Sequence, residues 1–155
     1  MSRTPREVAE LVHRMVEGGD GIEFADLFAE DGVLEYPFFV PGYRSTVAGR
    51  ASIREFFAAR KELRGMFDLE QVTSEVYQTD DPEVVVTEIV HRGRSHVTNA
   101  PYELRALGII RVRAGEIVHY RDYLNPISLA QLIGRVPDLI AALGAEPATA
   151  GRAGS

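Results

Sequence analysis

The chain has 155 residues, of which 45% are hydrophobic and 26% charged, and its formal net charge is −6 at pH 7. This length and composition are typical of one soluble globular domain, and the acidic balance argues against binding nucleic acid, which favours a basic surface. Cysteine is absent, which excludes disulfides, thiolate catalysis and cysteine-based metal sites. The sequence contains no run of about 18 apolar residues, so no membrane-spanning helix is predicted.

The first residues predict two helices. Apolar residues spaced three and four apart over 8–16 predict an amphipathic helix, which Gly18-Gly19 would end. Asp20 and Glu23 have the spacing of a capping box, so we expect a short second helix carrying Phe24, Leu27 and Phe28, stopped near Asp31-Gly32. The start of the chain lacks the apolar region of a secretory signal, so we expect a cytoplasmic protein.

A strand and a third helix follow. The apolar and aromatic run over 33–39 predicts a strand, which Pro41-Gly42 ends. Ser52 and Glu55 form a better capping box and predict a helix that turns Ile53, Phe56 and Phe57 inward.

Four β-rich runs separated by short turns then predict antiparallel hairpins; they are Phe67–Gln78, Glu83–His96, Tyr102–Val112 and Glu116–Leu124. A last helix is predicted over 128–143, kinked or split at Pro137. We therefore expect a single domain over 1–144, followed by a flexible tail over 145–155 that is too polar and small to bury a core.

Helices followed by antiparallel strands predict an α+β fold, with helices across the open side of a curved antiparallel sheet. Such an arrangement encloses a conical cavity suited to a small molecule. The other face of the sheet would also need cover where it is apolar, and we expect a homodimer formed through the sheet.

The stretch from Gly115 to Pro126 is the most informative part of the sequence. Side chains alternate along a strand, so Val118, Tyr120, Asp122 and Leu124 share one face, and that face is expected to be buried. Burial would raise the pKa of the Asp122 carboxyl toward the range useful for proton transfer. From residue types alone, a helix cap or a partner for a neighbouring arginine is the more frequent role of such an aspartate.

The order of elements resembles the nuclear transport factor 2-like superfamily, which includes ketosteroid isomerase, scytalone dehydratase, limonene epoxide hydrolase and SnoaL-like polyketide cyclases. The residues that carry the resemblance are the segment 24–33, Gly49-Arg50 with Ile53 and Phe56-Phe57, and the closing segments 115–117 and 120–123. The resemblance implies a cone-shaped fold over most of the chain. It also favours a functional role for Asp122 over a helix cap or an arginine partner.

Two subfamilies are similar in finer detail. The ending over 121–126 is similar to phenazine-biosynthesis A/B proteins, which implies acid/base work for Asp122, although Phe56 stands where those proteins have a pocket histidine. Limonene epoxide hydrolase similarly ends its sheet in Arg-Asp-Tyr, and Tyr36 matches the tyrosine that, together with an asparagine, holds its water. Its asparagine is replaced by Phe38, and its arginine and acidic partner fall near Ile89 and His91, so epoxide hydrolysis is disfavoured.

Asp122 is the first catalytic candidate, as a general base. His91 shares a strand face with Thr87 and Ile89 and is expected to be its paired acid or a residue that it orients; the alternative is a half-exposed histidine beside Glu88 or Asp80. Tyr36 is the third candidate; this strand tyrosine either donates a hydrogen bond to substrate or only packs in the core.

Aromatic residues are expected to form the walls of the cavity and to contact the ligand. These are Tyr120, Phe38, Phe39, Phe57, Phe28 and Tyr102. Glu88 has the opposite parity to His91 and is expected to face a dimer partner or to pair with an arginine of the next strand, such as Arg105 or Arg111.

The resemblance therefore implies an isomerase, cyclase or dehydratase that acts by acid/base chemistry on a hydrophobic, oxygenated small molecule in bacterial secondary metabolism, such as antibiotic biosynthesis. No cofactor and no metal are expected, since no ligand spacing or nucleotide-binding motif is present. The alternatives are a ligand-binding module that has lost its chemistry, an accessory dimerisation domain, or an epoxide hydrolase.

Overall fold

The computed structural model describes residues 1–16 and 23–145, so the predicted Gly18-Gly19 stop, the Asp20 cap and residues 146–155 of the predicted tail lie outside the described residues. In chain order, the elements are helix α1 (Pro5–Val16), a 3-10 turn (Phe24–Leu27), β1 (Phe28–Glu35), β2 (Thr46–Ala48), α2 (Arg50–Ala58), a second 3-10 turn (Lys61–Met66), β3 (Phe67–Gln78), β4 (Val84–Ser95), β5 (Ala100–Arg113), β6 (Glu116–Leu124), α3 (Pro126–Leu132) and α4 (Val136–Gly144).

The strands form one six-stranded sheet in the order β2-β1-β6-β5-β4-β3. Strands β3 to β6 pair as consecutive antiparallel hairpins, which confirms the predicted α+β fold with a curved sheet. One pairing differs from the expected antiparallel pattern, because β1 lies parallel to β6. Both residues of the β5–β6 turn, Ala114 and Gly115, have positive φ angles, of 51° and 80°, as a tight hairpin turn requires.

The helices cover one face of the sheet, here called the inner face. Helix α1 packs against β3, β4 and β5, whereas α2 packs against β1 and β2. The buried side of α1 and the inner side chains of the strands form a continuous apolar core. Its fully buried members include Val8, Leu27, Phe28, Leu34, Val47, Ile53, Val85, Ile110 and Ile117. This core leaves the end of the inner face that lies near α2, α3 and α4 for a cavity.

The N-terminal part differs from the sequence prediction in three places. The predicted helix through Phe28 is only a 3-10 turn, because Phe28 already pairs with Ile117 of β6 and begins β1. Strand β1 ends at Glu35 rather than continuing to residue 39, and the short strand β2 was not predicted. Helix α2 begins after Gly49, whose φ of 92° suits glycine, so the predicted Ser52 capping box does not form.

The C-terminal helix is split, as the sequence allowed, but the break comes before Pro137. Gly134 adopts a φ of 69° between α3 and α4, and Pro137 then lies in the first turn of α4. Helix α3 is capped by Asn125, whose side chain accepts a hydrogen bond from the Ile127 amide at 3.0 Å. The capping role considered for Asp122 is therefore filled by Asn125.

Candidate active site

A cavity of about 850 Å³ opens between the inner face of the sheet and the surrounding helices and loops. Helix α2, the loop after β1 and the two C-terminal helices all contribute to its lining. Its apolar lining includes Met15, Phe24, Tyr36, Phe38, Phe39, Phe56, Phe57, Leu124, Leu129, Ile133 and Leu139. A cavity of this size and apolar character suits a drug-sized hydrophobic molecule.

A row of inner-face residues crosses the sheet next to this cavity; Tyr36 lines the cavity, whereas Asp122 adjoins Tyr36 and is not itself among the lining residues. Asp122 on β6 pairs with Gly108 on β5, and Gly108 pairs with Thr87 on β4. Because directly paired residues point to the same face, the carboxyl of Asp122 and the hydroxyl of Thr87 flank a position without a side chain. Glu35 pairs with Arg121, so Tyr36, the next residue along parallel β1, adjoins Asp122 on its other side.

Asp122 supplies the carboxyl of this row. Its Oδ1 atom is buried and has no hydrogen-bond partner among the residues that the structure describes, although the residue as a whole retains some contact with solvent. Burial raises the pKa of Asp122 from 3.8 to about 7. An arginine partner, the other role considered from sequence, is therefore absent within the described part of the chain.

The charge of this carboxyl affects the pKa of two nearby tyrosines. Burial, and then the negative charge of Asp122, raise the pKa of Tyr36 and of Tyr120. Both hydroxyls therefore stay protonated at neutral pH and can act as hydrogen-bond donors. Only Tyr36 lines the cavity; Tyr120 is 5% exposed and lies in the core.

Gly108 provides the space that the hydroxyls of Thr87 and Tyr120 occupy. A Cβ atom built there would come within 2.6 Å of Thr87 Oγ1 and 3.1 Å of the Tyr120 hydroxyl. Both contacts are closer than ordinary packing allows. The absence of a side chain at Gly108 therefore keeps the polar row compact.

The structure does not bring His91 to Asp122. His91 lies on the inner face, half-buried, and burial lowers the pKa of its imidazole, which is therefore neutral near pH 7. It pairs with Leu104, four residues along β4 from Thr87, which corresponds to roughly 13 Å at ~3.3 Å per residue. The expected pairing of His91 with Asp122 is therefore wrong, because the register places the histidine two inner positions away along β4; the residue that adjoins Asp122 is Tyr36.

Glu88, on the outer face of β4, forms an ion pair with Arg105, whose Nη1 lies 3.2 Å from Glu88 Oε1. This confirms one of the two predicted arrangements for this residue. Glu88 is therefore separated from the cavity by the sheet.

The expected aromatic walls divide into two groups. Phe38, Phe39 and Phe57 line the cavity, with Phe38 and Phe39 at its exposed rim. Phe28 and Tyr120 do not: their rings stack in the core with centroids 6.4 Å apart, because β1 begins at Phe28 and turns its ring inward.

Tyr102 lies elsewhere on the sheet. It pairs with Gly93, and its ring packs on Phe67 with centroids 5.5 Å apart. It is six residues along β5 from Gly108, roughly 20 Å away at ~3.3 Å per residue. Strand length therefore removes Tyr102 from the predicted wall.

Two residues of the site were missed from sequence, Gly108 and Arg60. The guanidinium carbon of Arg60 lies 3.5 Å from the centroid of the Phe56 ring, and its Nη1 donates to the Phe56 carbonyl at 3.0 Å. The spacing of four residues between Phe56 and Arg60 is the signal that could have placed this cation beside the apolar face of α2. Gly108 carries no such local signal, because only the strand register brings it next to Asp122.

Comparison with known protein families matches residues 8–120 to the SnoaL-like domain. The chain belongs to the SnoaL-like family. This match spans most of α1 and all elements from β1 to the first half of β6, ends two residues before Asp122, and confirms the resemblance read from the sequence.

Individual relatives agree with this assignment. An uncharacterized PhzA/B-like protein of Pseudomonas aeruginosa is 30% identical over 128 residues, which cover 81% of this chain and 89% of the relative. The crystal structure of a suggested isomerase from Bacillus subtilis has a TM-score of 0.72 and 26% identity, covering 84% of this chain and 93% of that one. A phenazine biosynthesis-related protein of Pseudomonas aeruginosa has a TM-score of 0.58 and 20% identity, with 84% and 83% covered, and shares the fold.

Members of the SnoaL-like superfamily are often isomerases or cyclases, and the fold commonly binds small hydrophobic ligands. The cavity described above has the apolar lining that such ligands require. Within the described residues, no helix is long and apolar enough to cross a membrane.

Proposed function

We propose that this protein is an acid/base enzyme of the isomerase or cyclase type, acting without a cofactor on a hydrophobic, oxygenated small molecule. The observation that carries the proposal is Asp122, a buried carboxyl without a hydrogen-bond partner in the described chain, whose pKa is raised to about 7. A base with a pKa near the working pH combines a large ionised fraction with strong proton affinity. Tyr36, which lines the cavity beside it, supplies a protonated hydroxyl.

The proposed first step is removal of a proton from a carbon next to a carbonyl group of the substrate. The Asp122 carboxylate takes the proton, and the electron pair of the C–H bond moves toward the carbonyl oxygen. Tyr36 donates a hydrogen bond to that oxygen as negative charge develops there. Both roles need a site with little water, which the surrounding aromatic side chains provide.

The second step decides the reaction type. If Asp122 returns its proton to a different carbon of the same molecule, the result is an isomerisation. If the enolate carbon instead attacks a second carbonyl group of the substrate, a carbon–carbon bond forms and Asp122 gives its proton to the new alkoxide, which is a cyclisation. A setting in bacterial secondary metabolism is part of the proposal and is supported by the similarity to PhzA/B-like proteins.

A second candidate function is ligand binding without chemistry. It is favoured by Phe56, which is 8% exposed and packs against Tyr36 at the position where the phenazine-biosynthesis resemblance implies a catalytic histidine. Epoxide hydrolysis gains no support, because the polar groups expected to hold a water are replaced by Phe38, Ile89 and His91.

The test is a titration of the Asp122 side-chain carboxyl by carbon NMR, with Asp122→Asn as the assignment control. We expect a midpoint near pH 7 and, in turnover assays with ketone or polyketide-like substrates, a rate that rises through the same pH. Tyr36→Phe should lower kcat by about 100–1,000-fold without unfolding the protein, because one donor to the developing oxyanion is lost. Asp31→Asn, at an exposed position of β1, is the matched control and should leave kcat unchanged.

A midpoint near the ~3.9 of a free aspartate would contradict the acid/base assignment. The binding-module candidate would then replace the enzyme.

A further inference from the structure

The charge of the cavity lining is opposite to that of the whole chain. The protein carries a formal net charge of −6. Among the described residues, its cavity is nevertheless lined by six cationic side chains and one carboxylate; the cations are Arg44, Arg54, Arg60, Lys61, Arg64 and Arg135, and the carboxylate is Glu23. Such a local excess of positive charge within an acidic protein points to an anionic partner for this opening.

The single carboxylate does not neutralise this excess. Glu23 is engaged by Arg54, whose Nε lies 3.2 Å from Glu23 Oε2 and whose Nη2 lies 2.5 Å from Asp26 Oδ1. Among the described residues, the remaining five cations of the lining form no ion pair. Arginines of the outer face behave differently: Arg92, for example, pairs with Glu103 at 3.0 Å.

Arg60 is the best-placed of the five. It is half-buried, its guanidinium lies over the Phe56 ring, and one of its five N–H donors is used by the Phe56 carbonyl. The pKa of Tyr36 is raised by burial and by Asp122, while the charge of Arg60 acts in the opposite direction. The guanidinium is thus held by two contacts with Phe56, retains free donors, and is electrostatically coupled to Tyr36, which also adjoins Asp122.

From these observations we infer that the cavity selects a hydrophobic organic acid and binds its carboxylate at Arg60, with Arg44, Lys61, Arg64 and Arg135 as the surrounding positive field. The inference rests on the proposed function, since it names the substrate class for the same cavity. A planar guanidinium matches a carboxylate with two parallel hydrogen bonds.

The orientation of the ligand follows from the second charge of the site. Asp122 carries a partial negative charge near pH 7 and would repel a carboxylate placed beside it. The acid group therefore lies at Arg60, and the apolar body extends along the aromatic wall with its reactive carbon toward Asp122 and Tyr36. A neutral ligand of the same shape would lack the ion pair with Arg60.

The test compares two compounds of the same shape, naphthalene-2-carboxylate and naphthalene-2-carboxamide, by isothermal titration calorimetry of the full chain at pH 7 and low salt. We expect the carboxylate to bind about tenfold more tightly, which corresponds to about 1.4 kcal/mol for one well-oriented ion pair. Arg60→Gln should remove this preference, and Arg60→Lys should restore part of it. Arg92→Gln, which removes a paired arginine of the outer face, is the matched control and should keep the preference.

Equal affinity for the two compounds, a preference that survives Arg60→Gln, or no binding of either compound at millimolar concentration would each overturn the inference. The proposed function is tested separately by the titration of Asp122, which does not depend on Arg60. A charge preference together with an ordinary Asp122 pKa would indicate an acid-binding module, whereas a raised pKa without charge preference would indicate an enzyme for neutral substrates.

Discussion

Replacing Asp122 by asparagine should stabilise the protein at neutral and alkaline pH while removing its proposed base. Asparagine has nearly the same shape as a protonated aspartate but cannot ionise. The carboxyl of Asp122 is buried without a partner in the described residues, so its charged form is unfavourable in the folded state. The native protein therefore carries a free-energy cost that the variant lacks.

The size and sign of this cost follow from the pKa. Burial raises the pKa of Asp122 from 3.8 to about 7, a shift of about three units, and each unit corresponds to ~1.4 kcal/mol. The folded state holds the proton more tightly than the unfolded state, so stability is lost as the pH rises from about 4 to about 7 and stays constant above that range. The upper limit is about 4 kcal/mol, and because the residue retains some solvent contact we expect about 2–4 kcal/mol.

The assay is urea unfolding of the native protein and of Asp122→Asn, followed by circular dichroism at several pH values between 4 and 8. The difference in the free energy of unfolding between the two proteins should be small near pH 4 and reach about 2–4 kcal/mol in favour of the variant at pH 8. Asp31→Asn, which changes the net charge equally at an exposed position, should stay within about 0.5 kcal/mol of the native protein. A difference between native protein and Asp122→Asn that does not grow with pH would refute the reasoning.

Two further predictions concern the elements that position the site. Gly108→Ala places a Cβ atom 2.6 Å from Thr87 Oγ1, so we expect the free energy of unfolding in urea to fall by about 1–3 kcal/mol and Tyr120 to be displaced. Unchanged stability would show that the space between Thr87 and Asp122 can hold a side chain. Asn125→Ala removes the cap of α3 and should cost about 1 kcal/mol, measured as a lower thermal midpoint, whereas Asn125→Asp should retain most of the stability; equal losses in both variants would contradict a capping role.

The sheet was predictable from sequence where turn residues mark its ends. Strands β3 and β6 begin and end at the predicted residues, and Ala114-Gly115 adopts the positive φ angles of a tight turn. Strand β2 could not be predicted, because three residues carry too little periodicity and form a strand only by pairing with β1. The same tertiary pairing converts Phe28 from a predicted helical residue into the first residue of a strand.

The candidate site was predictable only in part. The alternation of residues along β6 places Tyr120, Asp122 and Leu124 on one face, but the register shift between Arg111 and Val112 brings Ile117 into the core where strict alternation predicts Val118. A β-bulge of this kind leaves little trace in a single sequence.

The partners of Asp122 also depend on the fold as a whole. Both His91 and Thr87 lie on the inner face of β4, and only the pairing register decides which of them lies in line with Asp122. Four of the cations around the cavity lie within residues 54–64, where the sequence could have indicated them, whereas Arg44 and Arg135 join them only through the fold.

The parallel pairing of β1 with β6 has a consequence for how the site is assembled during folding. Strands β3 to β6 are joined by short turns and can pair through local contacts, whereas β1 must find β6 across the whole intervening chain. Contacts between distant residues form slowly because closing a long loop costs conformational entropy. Asp122 belongs to the local hairpins and Tyr36 follows the strand that closes the long loop, so we expect the base and its neighbouring donor to come together late in folding.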